Sequence, residues 1–144
     1  MIDMTFTEAE RAYLRTQPLG RLATIGPTGA PQNLPVTYHL NTDTIDIGGP
    51  NLGASQKVRN IAADARVSFV VDDMADEPVG PGGQTGRGLE IRGDAELLVV
   101  EKPSLAGFSN DLIRIHPRRI VAWNIDGPGG NSRNLAASKR DQLT

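Results

Sequence analysis

The chain has 144 residues, a formal net charge of −2 and no cysteine. This length suits one domain with a single core, and the near-neutral charge gives no overall attraction to nucleic acid or to an anionic membrane, so an anion site would have to be a local cluster. The absence of cysteine excludes disulfides and thiolate nucleophiles, and the lack of a secretory signal or a membrane-spanning apolar stretch leads us to expect a cytoplasmic protein.

The first predicted element is a short helix near the N-terminus. Thr7 and Glu10 have the spacing of a capping box, in which each side chain accepts a hydrogen bond from the other residue's free backbone N–H. We therefore predict a helix from about Glu8 to Thr16. Pro18 would end it, because the residue before a proline is disfavoured in the helical region.

Two strands joined by a turn come next. Arg21–Ile25 reads as a strand, and residues 26–29 form a turn with a glycine at each end. The second strand is predicted from Pro31 to Leu40. Pro31 and Pro35 lack a backbone N–H, so this strand should be partly unpaired or bulged around them, and a cofactor could use the exposed backbone.

A short strand and a second helix are predicted on either side of a glycine-rich loop. Thr44–Gly48 alternates apolar and polar residues, as a half-buried strand does, and residues 48–53 form the loop. From Ser55 to about Asp64 the apolar residues fall on one helical face. The Ser55-x-Lys57 pair opens this helix, where free N–H groups and the positive helix end attract an anion. A solvated lysine near a helix start is the alternative explanation.

The second half of the chain is predicted to continue in strands separated by one long loop. Residues 73–88 are acidic and rich in glycine and proline, and loops of this length in a compact domain are usually functional or disordered. Residues 102–117 give no clear pattern. The remaining strands are Arg66–Val71, Gly88–Leu97 with a bulge expected at Gly93, and Ile120–Ile125.

Together these elements predict a mainly β fold with about six strands and a few short helices. Tight turns join most of the strands, which implies antiparallel pairing, and a closed barrel would leave few exposed edges. Residues 1–126 would form this cofactor-binding domain. Residues 127–144 would form a polar C-terminal tail, which from Asn131 onward is expected to be frayed or a short helix.

Several short motifs occur in a fixed order along the chain: G-R-L-A-T-I-x-x-x-G-x-P, P-V-x-Y, I-x-I-G, S-x-K-x-R-N-I, V-V-D and G-L-x-I-x-G-x-A. This order resembles the FMN-binding split β-barrel, which is the pyridoxamine 5′-phosphate oxidase-like superfamily. The sequence is most similar to its flavin/deazaflavin oxidoreductases, many of which use the deazaflavin coenzyme F-420. The resemblance covers roughly Thr7 to Ile125, and it implies a six-stranded antiparallel split barrel.

The resemblance also implies a homodimer with two cofactors at the subunit interface. The backbone of the second strand would face the isoalloxazine or deazaflavin ring, two glycines would border the ribityl chain, and the start of the second helix would hold the phosphate. Asn60 matches a motif position of the family, and a structural role is the alternative for it. The residues implied in this way are Asn33, Leu34, Pro35, Val36, Thr37, Gly48, Gly49, Ser55, Lys57 and Asn60.

The sequence departs from the vitamin-B6 oxidases of this superfamily in two places. Gln56 stands where they typically carry a second basic residue, and the C-terminal Arg/His signature that they use for pyridoxal phosphate is missing. Both departures argue against vitamin-B6 oxidation. We expect coenzyme F-420 in preference to FMN, with the cofactor transferring a hydride to a small organic substrate. No side chain is then required as an essential acid or base, and solvent could supply the proton.

Other functions remain as alternatives. A non-catalytic flavin- or haem-related binding protein, acting as a sensor or carrier, could use the same fold, since a fold does not fix a function. A dimeric scaffold without a cofactor is a third possibility.

Four further residues form a basic cluster before the last strand. They could receive a polyanionic cofactor tail or an acidic substrate, or they could form a solvated strand edge whose charges deter pairing with another chain. The cluster comprises Arg114, His116, Arg118 and Arg119. We expect no metal site, because the only two histidines are His39 and His116 and cysteine is absent.

Overall fold

A computed structural model describes residues 5–103 and 105–135 of the chain. The strands make up most of this region, and a one-turn 3-10 helix at Leu52–Ala54 precedes the second α-helix. The elements are α1 (Glu8–Thr16), β1 (Gly20–Ile25), β2 (Pro31–Val36), β3 (His39–Leu40), β4 (Ile45–Ile47), α2 (Gln56–Ala63), β5 (Arg66–Met74), β6 (Gly86–Val99), β7 (Asp111–Trp123) and β8 (Gly130–Asn134).

Helix α1 begins and ends where the sequence predicts. The Thr7 N–H donates to Glu10 Oε1 at 3.0 Å, and the Glu10 N–H donates to Thr7 Oγ1 at 3.1 Å. This reciprocal pair satisfies two of the N–H groups that a helix start leaves without partners. Within the described residues, neither α1 nor α2 is long and apolar enough to cross a membrane.

The strands form one antiparallel sheet in the order β2-β1-β5-β6-β7-β4-β3, and β8 pairs with the second half of β7. Strands β2 and β3 lie at opposite edges of this sheet, yet only Thr37 and Tyr38 separate them along the chain. Three Cα–Cα steps span at most about 11 Å, so the two edges must come close together. The sheet therefore curls, and the prediction of a mainly β, antiparallel barrel-like fold is confirmed.

The described residues contain eight strands, whereas the sequence predicted about six. One extra strand arises because the predicted strand Pro31–Leu40 breaks at Thr37 and Tyr38 into β2 and β3. The other is β8, whose residues were assigned to the polar tail. Residues 136–144 of that tail lie outside the described part of the chain.

Strand β8 was missed because its sequence, Gly-Asn-Ser-Arg-Asn, carries no apolar alternation. It is held instead by its ladder with β7 and by one ion pair. The Arg133 guanidinium donates to both carboxylate oxygens of Glu10, at 2.9 and 2.6 Å, and to the Thr5 carbonyl at 2.7 Å. The expectation of a frayed or helical segment from Asn131 is therefore wrong for residues 131–134.

The loop predicted at residues 73–88 is shorter in the structure, because β5 continues to Met74 and β6 begins at Gly86. Asp73 and Arg87 are directly opposite each other in the β5–β6 ladder. The Arg87 guanidinium donates to both carboxylate oxygens of Asp73, at 2.8 and 3.1 Å. This pair extends the hairpin by charge rather than by apolar side chains, which is why a hydrophobic pattern did not predict the extension.

The bulge expected at Gly93 is confirmed, since the β6–β7 register shifts between Arg92 and Gly93. A Cβ at position 93 would lie 2.1 Å from the backbone oxygen of His116, so only glycine fits there. Strand β7 also accounts for residues 111–117, which gave no clear sequence pattern.

The core fills the inside of the curled sheet with apolar side chains that alternate along the strands. The fully buried ones include Phe6, Leu14, Ile45, Ile47, Phe69, Val71, Leu89, Ile91, Ile113, Ile115 and Ile120. The alternate residues of the same strands face outward, and it is there, and at the edge strands, that a site can form.

Candidate functional site

The start of α2 follows the predicted pattern. Ser55 is the N-cap: its hydroxyl donates to the Leu52 carbonyl at 2.6 Å and accepts a hydrogen bond from the Val58 N–H at 3.4 Å. The Ser55 hydroxyl is therefore engaged in capping the helix. The N–H groups of Gln56 and Lys57 lie at the open end of the helix, where they have no intrahelical partner.

Lys57 is half-buried on this first turn and makes no hydrogen bond or ion pair with any residue in the described ranges. Its ammonium group, the two N–H groups and the positive helix end make this corner a donor set of the kind that binds phosphate. The residues present therefore fit the phosphate group of a flavin-type cofactor. The binding itself stays a prediction.

Asn60 is buried and its side-chain amide is fully used within the protein. Its Nδ2 donates to Thr24 Oγ1 at 3.0 Å and to Gln32 Oε1 at 3.3 Å, and its Oδ1 accepts from Gln56 Nε2 at 2.8 Å. These bonds join α2 to β1 and β2. They are the contacts of a structural residue, and they fix the Lys57 corner beside the strand that is expected to face the ring.

Strand β2 lies at a sheet edge and pairs with β1 alone. Asn33, Leu34 and Pro35 are exposed in succession, although an edge strand on a core would normally hide every second side chain. The bulge expected around the prolines does not occur, because β2 stays in continuous register with β1 from Pro31 to Val36, and only its other edge lacks a partner strand in the described part of the chain. The following residue, Val36, is buried, so only its backbone could face a ligand.

Two of the predicted residues, Thr37 and Gly48, meet at a small cavity of about 110 Å³ that lies where β3 begins and β4 ends. The cavity is lined by Thr37, Tyr38, His39, Asp46, Gly48 and Leu105. The neighbouring Gly49 directs its carbonyl away to Ser109, which donates through its N–H at 2.9 Å and its hydroxyl at 3.2 Å.

The polar groups around this cavity are held in place. Arg114 donates to both carboxylate oxygens of Asp46, at 2.8 and 3.0 Å, and this hydrogen bonding raises the pKa of Arg114. The Tyr38 hydroxyl donates to the Leu14 carbonyl at 2.6 Å, and burial raises the pKa of Tyr38 to about 12. Both Arg114 and Tyr38 therefore keep their protons at neutral pH.

The outer face of the sheet carries a site that the sequence analysis did not identify. Two adjoining grooves, of about 460 and 300 Å³, run across β1, β5 and β6 and share Ala23, Ser68 and Glu90. The smaller groove reaches Asn33 on β2 and Trp123 on β7. Only the strand register shows that these residues are neighbours, so no local motif could have revealed the groove.

Glu90 places a charge on the floor of these grooves. It accepts hydrogen bonds from the Ser68 hydroxyl at 3.0 Å and from Arg92 Nε at 2.9 Å. The hydrogen bond from Arg92, more than any other contact, lowers the pKa of Glu90. The groove therefore presents an ionised carboxylate that is already matched by a guanidinium group.

The predicted basic cluster is not a free anion site. Arg114 pairs with Asp46, His116 with Glu96 at 2.8 Å and Arg118 with Asp94 at 2.8 Å. Arg119 donates to Asn134 at 2.9 Å. The alternative of a strand edge is also wrong, because β7 lies inside the sheet. Among residues 5–103 and 105–135, no group of three His, Cys, Asp or Glu side chains could hold a metal ion.

Comparison with known sequences relates the chain to one protein family and to one characterised reductase. The family model of pyridoxamine 5′-phosphate oxidase matches residues 6–138. The chain is also 41% identical to the 5a,11a-dehydrotetracycline/5a,11a-dehydrooxytetracycline reductase of Streptomyces rimosus subsp. rimosus. That alignment spans 144 residues and covers 93% of this chain and 96% of the reductase.

Solved structures give the same fold at lower identity. An F-420 reductase superposes with a TM-score of 0.58 at 22% identity, covering 80% of this chain and 98% of that one. A haem-binding protein from Mycobacterium smegmatis superposes with a TM-score of 0.65 at 18% identity, covering 93% of this chain and 60% of that one. At these identities the likeness concerns the fold alone, and it confirms the split barrel.

Proposed function

Because the chain belongs to the pyridoxamine 5′-phosphate oxidase family, we propose that it is a flavin-type oxidoreductase that uses reduced coenzyme F-420, or FMN, to reduce a carbon–carbon double bond in a small organic acceptor. The observation that carries the proposal is the 41% identity with a reductase along nearly the whole length of both proteins. The unpaired donors of the Lys57 corner and the open edge of β2 support a cofactor site there.

The cofactor phosphate is proposed to bind at the first turn of α2. Lys57 would give it a charge-assisted hydrogen bond, and the N–H groups of Gln56 and Lys57 would donate two more. Asn60 would act indirectly, because its bonds to Thr24 and Gln32 hold this turn against β1 and β2.

The ring system is proposed to lie along the exposed edge strand β2. Asn33, Leu34 and Pro35 offer backbone groups and apolar surface without a neighbouring strand in the described part of the chain. Thr37 and Gly48 would border the ring and the ribityl chain from the adjacent cavity. When bound, such a cofactor supplies the hydride, and the protein orients the acceptor and excludes water.

The acceptor class is proposed by analogy with the similar reductase, which reduces a 5a,11a-dehydro compound. A 5a,11a-dehydro compound has a double bond between two ring carbons, and its reduction adds one hydride and one proton. We infer that this chain takes an electron-poor alkene of similar type, such as a polycyclic enone. The proposed preference for coenzyme F-420 over FMN rests on the overall resemblance to the deazaflavin enzymes.

We also propose that two copies of the chain form the working unit. The outer face of the sheet exposes half-buried apolar side chains, including Val70, Val121 and Trp123, beside the proposed ring site on β2. A second copy packed on this face would cover the grooves and close the cofactor site. This assignment rests on the family resemblance together with the apolar lining.

A second candidate function is non-catalytic binding of a flavin or a haem-related molecule. This candidate is retained because the haem-binding protein from Mycobacterium smegmatis has the same fold, and a fold does not fix a function. The two candidates differ in one measurable property, because a binder holds its ligand without turning over an acceptor.

The proposal is tested by titrating purified protein with coenzyme F-420, FMN and haemin in parallel, followed by fluorescence quenching or absorbance. The reduced form of the tightest flavin-type ligand is then mixed with 5a,11a-dehydrotetracycline. We expect saturable binding of one flavin-type cofactor and its catalytic reoxidation. Binding of haemin alone, or binding of flavin without reoxidation by any enone or quinone, would reject the reductase in favour of the binder.

A further inference from the structure

We propose that His39 is the proton donor of the reductase, an inference that rests on the proposed function and departs from the expectation that solvent supplies the proton. His39 is exposed and lines the cavity that also contains Thr37 and Gly48, two residues expected beside the cofactor. It has no hydrogen-bond or ion-pair partner among residues 5–103 and 105–135.

The position of His39 follows from the way β2 ends and β3 begins. The two residues between these strands carry the chain from one sheet edge to the other, so His39 opens β3 immediately beside the β2 edge. His39 and Thr37 line the same cavity. An acceptor stacked on a ring along β2 would therefore extend towards the imidazole.

The charged groups around His39 are already committed to other partners. Asp46, its cross-strand partner on β4, is held at both oxygens by Arg114 of β7. Arg11 of α1 donates to the carbonyls of Asn41 and Thr42 at 3.3 and 2.6 Å. The imidazole is thus left free to exchange a proton with a ligand.

Histidine also has the chemistry that the step needs, because the ring nitrogens of an imidazole can both donate and accept a proton. The other histidine differs in its surroundings. His116 lies on β7 with its Nε2 2.8 Å from Glu96 Oε1, and it does not line the cavity.

The proposed reduction adds one hydride and one proton across the double bond of the acceptor. One alkene carbon of the acceptor receives a hydride from the reduced cofactor, which is thereby oxidised, and the electron pair of the double bond moves towards the second carbon. His39 transfers its N–H proton to that second carbon, so the acceptor gains two hydrogen atoms. Water then returns a proton to the imidazole.

The first test compares His39→Gln with His116→Gln as a matched control. We expect both variants to bind the cofactor with the wild-type dissociation constant. His39→Gln should lower kcat about 100-fold and change the pH profile of kcat, whereas His116→Gln should keep the wild-type kcat and pH profile. In His39→Ala, added imidazole should restore part of the rate.

A second test does not depend on turnover. The chain has two histidines, so the Hε1 protons of their imidazole rings give two NMR signals, which His116→Gln assigns. Adding 5a,11a-dehydrotetracycline to tag-free protein loaded with oxidised cofactor should shift the His39 signal and leave the His116 signal in place.

Turnover by the wild type distinguishes a failure of the proposed reductase from a failure of the His39 role. Wild-type protein without turnover on any acceptor rejects the reductase and the role of His39 together. Wild-type turnover with an unchanged rate and pH profile in His39→Gln, or an acceptor that shifts neither histidine signal, rejects the role of His39 alone.

Discussion

Lys57 is the residue on which the proposed phosphate site depends most directly. It is half-buried at the start of α2 and carries a charge without a partner in the described residues. A lysine that only served solubility would be expected to extend fully into solvent, or to pair with a nearby carboxylate. Its surroundings instead consist of free N–H groups and the positive helix end, which favour a bound anion.

Replacing Lys57 by alanine should therefore weaken cofactor binding. A hydrogen bond to a charged group contributes about 1.5–3 kcal/mol, so we expect the dissociation constant to rise roughly tenfold to 100-fold. Fluorescence quenching measures this change, with the exposed Lys102→Ala as the control. An unchanged affinity in Lys57→Ala would place the phosphate elsewhere on the molecule.

Asp73 makes the folding stability of the protein depend on pH in the acid range. Hydrogen bonds from Arg87, and to a lesser extent from the Tyr13 hydroxyl at 2.7 Å, lower the pKa of the Asp73 carboxyl. Burial raises the pKa of Tyr13, so the phenol remains a donor at all ordinary pH values. A carboxyl whose pKa is lower in the folded state stabilises the fold above its unfolded pKa, and that stability is lost as the pH falls towards the folded pKa.

We accordingly expect Asp73→Asn to lower the free energy of unfolding by about 1–2 kcal/mol at pH 7. The difference in unfolding free energy from the wild type should narrow as the pH falls below about 4, where the Asp73 carboxyl of the unfolded chain begins to protonate while that of the folded chain stays ionised. Urea unfolding at pH 7 and pH 3 measures both values. The exposed Asp43→Asn serves as the control, and an equal gap at the two pH values would contradict the assignment.

Residues whose role is local could be predicted from the sequence, and residues whose partners are distant could not. Ser55 and the Thr7–Glu10 pair act within one helical turn, and their spacing alone identifies them. Asn60 was recognised only as a motif position. Its bonds to Thr24 and Gln32 cross 36 and 28 residues of sequence, and no local pattern encodes them.

At the scale of elements, apolar alternation predicted the buried strands, whereas β8 is held by a charged contact that alternation does not reveal. Strands β1, β5 and β6 were found because they place every second side chain in the core. Strand β8 has no such pattern and depends on the contact of Arg133 with Glu10 of α1. This ion pair links two elements from opposite ends of the described chain.

The Glu10–Arg133 pair should therefore be strongly coupled. The Glu10 side chain is only 1% exposed, so Arg133→Met would leave a buried carboxylate without its counter-charge and cost about 3–5 kcal/mol. Combining it with Glu10→Gln, which keeps the capping geometry but removes the charge, should recover part of that loss. Urea unfolding of the single and double variants gives the coupling energy. Additive losses would show that the pair does not hold β8 on α1.

At the scale of the whole molecule, the barrel could be predicted but the grooves on its surface could not. Closure follows from many short strands and tight turns, which are visible in the sequence. The grooves depend on which outward residues of β1, β5, β6 and β7 are brought side by side. That arrangement follows from the register and from the bulge at Gly93, which shifts the pairing of β6 and β7.

The proposed pairing of two copies can be tested at the outer face of the sheet. Val121 is half-buried in the smaller groove and is not part of the inner core, so replacing it by arginine should leave the barrel folded. A charge at the centre of a contact between two copies should prevent their association. Val99, which is 79% exposed at the end of β6 and outside both grooves, offers the matched valine-to-arginine control.

We expect the wild type and Val99→Arg to sediment as dimers, and Val121→Arg to sediment as a folded monomer. Because the second copy would close the cofactor site, Val121→Arg should also bind the cofactor at least about tenfold more weakly, as expected for a central interface residue. Sedimentation velocity and the cofactor titration measure the two effects on the same samples. A wild-type monomer that binds cofactor fully would show that one barrel forms the complete site, and the apolar outer face would then need another explanation.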